Sequence, residues 1–247
     1  MNVENGKAND CRKPGCLRLR KVARSLLDSP DFMEKLRRLD VSPERLISPL
    51  LSLLFETDEL IRWRAVRAVA VTIAAMAGRS PESARVIMRR LIWSLNDESG
   101  GIGWGAPEAM GEAMAESELL AREYYRILIS YIDEEGNLLE NEPLERGVLW
   151  GIGTLARARP QLMRESIRPV VSQLSSSDAV KRALALRALN YLKPVPESAT
   201  APILSLLNDK SEVRIYEEGE IRAYRVGDLA SDLLPGMKAP EQRAEDC

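Results

Sequence analysis

Apolar residues in this chain gather in short clusters that recur. Pro49-Leu-Leu-Ser-Leu-Leu54, Pro169-Val-Val-Ser-Gln-Leu174 and Pro202-Ile-Leu-Ser-Leu-Leu207 share one pattern of proline, two aliphatics, serine, any residue and leucine. Each runs into a polar turn bearing Asp58, Asp178 or Asp209. Two looser copies stand between them: Arg90-Leu-Ile-Trp-Ser-Leu95 before Asn96-Asp97, and Ile127-Leu-Ile-Ser-Tyr-Ile132 before Asp133. The copies begin 41, 37, 42 and 33 residues apart, a period close to 38. Repetition at this length marks stacked supersecondary units.

A second anchor follows each turn, at Arg64-Ala65, Gly105-Ala106, Arg146-Gly147, Arg182-Ala183 and Arg222-Ala223. Helical apolar spacing comes after it, as in Ala183, Leu184, Leu186, Ala188, Leu189 and Leu192. Small residues at the anchor let two helix backbones approach. Each unit therefore reads as a helix, a polar turn and a second helix. One such pair cannot bury its apolar stripe alone, whereas a stack of five forms a continuous core.

The expected fold is all-α, an α-α superhelix of about five helical-hairpin repeats. Repeats occupy 46–235, behind capping helices within 17–45 (Leu17–Leu27 and Pro30–Leu39), in one domain spanning 17–235. Val213–Val226 alternates, is rich in β-formers and carries Gly219 at its centre, which predicts a β-hairpin inserted between the last two helices. Polar residues 1–16 and 236–247 read as disordered tails. The pattern resembles the HEAT-repeat superfamily, particularly its bacterial PBS-lyase HEAT-like branch, over about residues 46–235. The stretches 93–113 and 134–153 are also similar to uncharacterised bacterial HEAT-repeat proteins.

Composition narrows the chemistry. The 247 residues include no histidine, which removes the commonest metal ligand and the usual general base near neutral pH. Three cysteines, Cys11, Cys16 and Cys247, lie in the polar end segments, and their odd number argues against a disulfide framework. They read as exposed thiols. Residues 1–95 hold 18 basic and 11 acidic side chains, residues 96–146 hold 3 and 13, and the remainder 14 and 13. The acidic middle makes nucleic acid an unlikely partner there. The N-terminus lacks the apolar core of a signal peptide, and the longest apolar run, Ala65–Ala77, contains Arg67 and is too short to span a bilayer. A cytoplasmic protein without membrane contact is expected.

Several stretches are candidate sites. Gly100-Gly-Ile-Gly-Trp-Gly105 could be taken for a phosphate cradle, but a helix precedes it, no lysine follows, and Glu108 and Glu112 would repel phosphate. It reads as an inter-helix connection, with Pro107 suited to a first helical turn. Glu108, Glu112 and Glu116, at i, i+4 and i+8, share one helix face. On a second helix this face turns toward the concave side and presents an acidic groove. Trp63 and Trp104 stand in the same repeat phase and Trp150 three positions later, so they are either packing residues or a row of aromatic anchors. Trp93 falls on the apparent buried phase of a first helix. Basic residues Arg12, Lys13, Arg18, Arg20, Lys21 and Arg24, extended by Arg62, Arg64 and Arg67, form no stripe through the later repeats.

These features predict a non-catalytic scaffold that binds a protein with a basic surface through an acidic, Trp-containing concave face. Its site residues are Glu108, Glu112, Glu116, Trp63, Trp104, Trp150, Arg64 and Arg67, and no cofactor or metal is expected. The family resemblance implies an alternative: a lyase-like enzyme or subunit handling a bilin or related tetrapyrrole, with Cys11 or Cys16 as nominal nucleophile. Di-iron hydroxylases built on HEAT-like repeats need His-Glu pairs, which this chain cannot supply.

Overall fold

The computed structural model describes residues 14–95 and 103–236. The proposed tails (apart from 14–16 and 236), Cys11, Cys247, Arg12, Lys13, Asn96-Asp97 and the Gly100–Ile102 part of the glycine stretch lie outside the described residues.

Two helices come first, α1 (Pro14–Leu27) and α2 (Phe32–Arg38). Five pairs follow: α3 (Pro43–Ser52) with α4 (Glu59–Arg79), α5 (Pro81–Leu95) with α6 (Ala106–Glu116), α7 (Glu118–Ser130) with α8 (Glu142–Ala158), α9 (Ile167–Ser172) with α10 (Ala179–Tyr191), and α11 (Glu197–Leu206) with α12 (Val226–Ser231). Two antiparallel strands, β1 (Glu212–Glu217) and β2 (Glu220–Arg225), stand between α11 and α12. Their turn uses left-handed backbone at Glu218 and Gly219, which suits a two-residue hairpin loop.

The repeating serine has a physical role. Ser52, Ser94, Ser130, Ser172 and Ser205 each donate to the carbonyl three residues earlier: 2.7 Å to Pro49, 2.7 Å to Leu91, 2.8 Å to Ile127, 2.8 Å to Pro169 and 2.7 Å to Pro202. The hydroxyl satisfies a carbonyl near the end of each first helix, where the intrahelical partners run out. In the second unit the bond begins at Leu91, so this unit aligns one residue later than a start at Arg90. The polar turns cap the second helices. Asp58 accepts from Ile61 N, Asn141 from Leu144 N and Asp178 from Val180 N. In the third unit the cap is thus Asn141 and not Asp133.

Helices α4, α6, α8 and α10 pack side by side in series, while α3, α5 and α7 pack mainly on these second helices, with Arg85 of α5 reaching Glu123 of α7 at 2.6 Å. Trp63 of α4 and Trp150 of α8 bring their rings to 4.9 Å across the intervening α6, so this row is the inner side of the stack. At α6 and α8 the backbones nearly touch: a methyl on Gly111 would lie 2.4 Å from Gly151 Cα. Arg146 pairs with Asp178 and Arg182 with Asp209, so each arginine links its second helix to the turn of the next unit.

Three expectations need correction. Trp93 is not core; it is 77% exposed. The buried positions of α5 are Ala84, Ile87, Met88, Leu91 and Leu95, and Trp93, two residues past Leu91, points about 200° away from them. Arg222-Ala223 is not a helical anchor. It lies exposed on β2, and the close approach in that unit is made by Gly227, where a methyl would meet Leu207 O at 2.6 Å. Cys16 is not a free thiol on a tail: it sits in the first turn of α1 and is disulfide-bonded.

Candidate functional site

The inner face is built from α4, α6, α8 and α10, and β1 crosses it. Trp63 of α4 and Trp150 of α8 bring their rings to 4.9 Å, although α6 separates their helices in the stack. Tyr216 of β1 stacks on Trp63 with centroids 5.2 Å apart and planes 3° from parallel, and it lies 6.4 Å from Trp150. The Trp150 indole N–H donates to the Tyr216 carbonyl at 3.1 Å. First, third and fifth repeats therefore meet in one aromatic cluster. Burial pushes the Tyr216 hydroxyl up to about 12, helped by the nearby Glu112 charge.

Charged groups ring this cluster. Arg187 of α10 is buried, lies over the Trp150 ring at 5.5 Å, and donates from Nε to Glu217 at 2.7 Å. Burial alone would raise the Glu217 carboxyl, but hydrogen bonds from Tyr224 and Arg187 outweigh it and hold the group below its ordinary range. At the other end of β1, Arg214 pairs with Glu59 at 3.0 Å across a more exposed gap.

The three glutamates of α6 do share one face, in three different settings. Glu112 is buried and Glu116 exposed, and Arg67 of α4 pairs with both. Burial raises the Glu112 carboxyl above its ordinary value against the pull of Arg67. Glu108 lies against Gly147 of α8, so closely that a methyl there would sit 2.7 Å from its carboxyl. Its Oε2 is sealed from solvent and accepts no hydrogen bond among the described residues. Burial drives this carboxyl up to about 7, with only a weak opposing pull from its own backbone and from Arg62.

The remaining site candidates fall elsewhere. Arg64 is buried and donates to the carbonyls of Leu27 and Ser29, while its guanidinium covers the Phe32 ring at 5.4 Å, so it fastens α4 to the α1–α2 turn. Trp104 is 38% exposed and lines a shallow cleft with Leu51, Leu54, Phe55 and Arg90, apart from the Trp63–Trp150 pair. Gly105 holds left-handed backbone as the N-cap of α6, and a methyl on Gly103 would meet Ser94 O at 2.7 Å, so the described part of the glycine stretch is a tight connection between helices. The disulfide at Cys16 removes one of the two thiols that a bilin-handling reading names as nucleophile. Among the described residues no group of His, Cys, Asp and Glu could hold a metal, and no helix is long and apolar enough to cross a membrane.

Tyr216, Arg187, Glu217 and Glu59 were not legible as site residues. Arg187 left one trace: a charge inside the apolar stripe of α10, between Leu186 and Ala188. A charge in such a stripe requires a buried partner. The alternation of β1 announced a strand but not the helices it would cross.

No family model matches the chain. An uncharacterized protein of Archaeoglobus fulgidus is 25% identical over 191 residues, covering 75% of this chain and 94% of that protein. Among solved structures, the chain is similar to a computationally designed armadillo repeat protein for modular peptide recognition (TM-score 0.53, 17% identity, 94% of this chain and 98% of the other). A second designed armadillo repeat protein gives a TM-score of 0.54 at 18% identity, over 93% and 97% of the two chains. An engineered protein gives 0.52 at 15% identity, over 88% and 89%. Likeness at these identities shows the fold, a repeat solenoid of HEAT or armadillo type.

Proposed function

We propose that this chain is a non-catalytic repeat scaffold that binds a protein partner along its inner face. The contact surface centres on Trp63 and on Trp150, which is buried in this structure with Tyr216 of β1 against it, with the α6 carboxylates and Arg67 beside them, and the partner presents a basic group to that row. The observation that carries this reading is Oε2 of the half-buried Glu108: an acceptor on the inner row, shut off from solvent, with no hydrogen-bond donor among the described residues. A buried polar atom without a partner is costly, and a basic side chain would satisfy it. The same group would complete the set that Arg67 now holds at Glu112 and Glu116. In kind, the reading fits the peptide recognition for which one structural neighbour was designed.

Affinity capture from extract of the native cell, followed by mass spectrometry, tests it. Glu112 is too buried for charge reversal to be informative, so Glu116→Lys, at an exposed position, is the variant to compare. Recovery of the captured partner should fall about fivefold or more, the scale of a lost charge contact at an interface. Equal recovery by wild type and Glu116→Lys would reject this placement.

A further inference from the structure

The inner face already holds an extended segment, and that segment belongs to the same chain. β1 lies between α10 and α4 with its side chains alternating. Val213, Ile215 and Glu217 form one face, and Glu217 on that face meets Arg187 of α10. Arg214 and Tyr216 form the other, meeting Glu59 and Trp63 of α4. Trp150 reads the main chain through its bond to the Tyr216 carbonyl. Running along the strand, the face of the solenoid offers an acid, then an aromatic pair with a main-chain donor, then a buried arginine.

We infer that β1 is a tethered stand-in for the partner, and that the inner face recognises an extended segment with a basic residue two positions before an aromatic and an acidic residue directly after it. The inference rests on the scaffold reading and states what the partner segment looks like. Its physical basis is the order of the four contacts, which come from three different repeats and converge on one strand. The hold on the first repeat is thin. Among the described residues it consists of the exposed Arg214–Glu59 pair and the ring of Tyr216, whereas Val213 and Ile215, on the opposite face of the strand, are buried. An exposed ion pair adds little, so a competing segment has mainly the stacked ring to displace. β2 is largely exposed, and among the described residues only Ile221 and Tyr224 of this strand pack against the core.

The test uses the full chain and a labelled synthetic peptide copying residues 212–217, followed by fluorescence anisotropy. Three forms are compared: wild type, an Arg214→Ala/Tyr216→Ala/Glu217→Ala variant with the stand-in side chains removed, and that variant with Trp63→Ala added. The emptied variant should bind the peptide about tenfold more tightly than wild type, the worth of one aromatic contact. Adding Trp63→Ala, or changing the peptide's tyrosine to alanine, should erase that gain. Should the triple variant unfold, Arg214→Ala alone alters only an exposed pair and should still improve binding about twofold. An emptied variant that binds no better than wild type, or a gain that survives Trp63→Ala, overturns the inference. Because the peptide is defined, its failure to bind is separate from failure of the scaffold reading, which the capture with Glu116→Lys decides.

Discussion

Glu108 concentrates the cost of the inner face in a single side chain. Its carboxyl titrates at about 7 in the folded protein, against an ordinary 4.5. Between those values the folded state holds a proton that the unfolded state has released. Stability is therefore highest below the ordinary value and declines as pH rises toward 7, after which it levels off. The ceiling on this decline is about 3 kcal/mol, and Glu112, raised for the same reason, acts in the same direction. Glu108→Gln keeps the shape and removes the charge, so it should flatten the fall in unfolding free energy between about pH 5 and pH 8. Urea denaturation at a series of pH values measures this; a wild-type curve that does not fall across that window would contradict the burial of Glu108. The shared face of Glu108, Glu112 and Glu116 was visible in their spacing. Their unequal settings were not, because Arg67 and Gly147 come from helices 45 and 39 residues from the carboxylates they meet.

At the scale of helices, the repeat was legible because its cause is local. The Pro-x-x-Ser pattern closes a hydrogen bond within four residues, and the Asp and Asn turns cap the helix that follows at once. Where the pattern loosened, reading failed: Trp93 and the Arg90 start both belong to the second unit, whose first helix lacks the motif proline found in the first, fourth and fifth. Arg222-Ala223 failed for another reason, since an inserted hairpin had displaced the helix. The packing of α6 on α8 depends on Gly111 and Gly151, and a side chain at either position must push two backbones apart. Gly151→Ala should cost about 2–3 kcal/mol, the scale of overpacking in a tight core. Gly78, in α4, faces open space, and Gly78→Ala should stabilise by about 0.5–1 kcal/mol. Thermal unfolding of the two variants separates a glycine that a contact requires from one that it does not; equal shifts in one direction would contradict the proposed backbone contact.

At the scale of the molecule, a stack of helix pairs becomes a face only because it curves, and the curvature brings repeats one, three and five together. No local pattern encodes that meeting. Trp63, Trp150 and Tyr216 lie 87 and 66 residues apart in pairs that the repeat phase does not align. The tryptophans could be singled out from the sequence, but their ring partner could not. The acidic groove expected from the sequence is, among the described residues, a row in which one carboxylate has an oxygen without a donor and two share an arginine, beside an aromatic cluster already occupied by a strand. The stand-in role of β1 depends on that occupation. Nuclear Overhauser effects between the side chains of Trp63 and Tyr216 report on it directly. Stacked rings with centroids 5.2 Å apart should give strong ring-to-ring cross-peaks, with further cross-peaks from Trp63 to Trp150. Absence of any Trp63–Tyr216 cross-peak in the folded protein, with Tyr216 ring shifts like those of a free tyrosine, would show the hairpin standing away from the first repeat and would contradict the account.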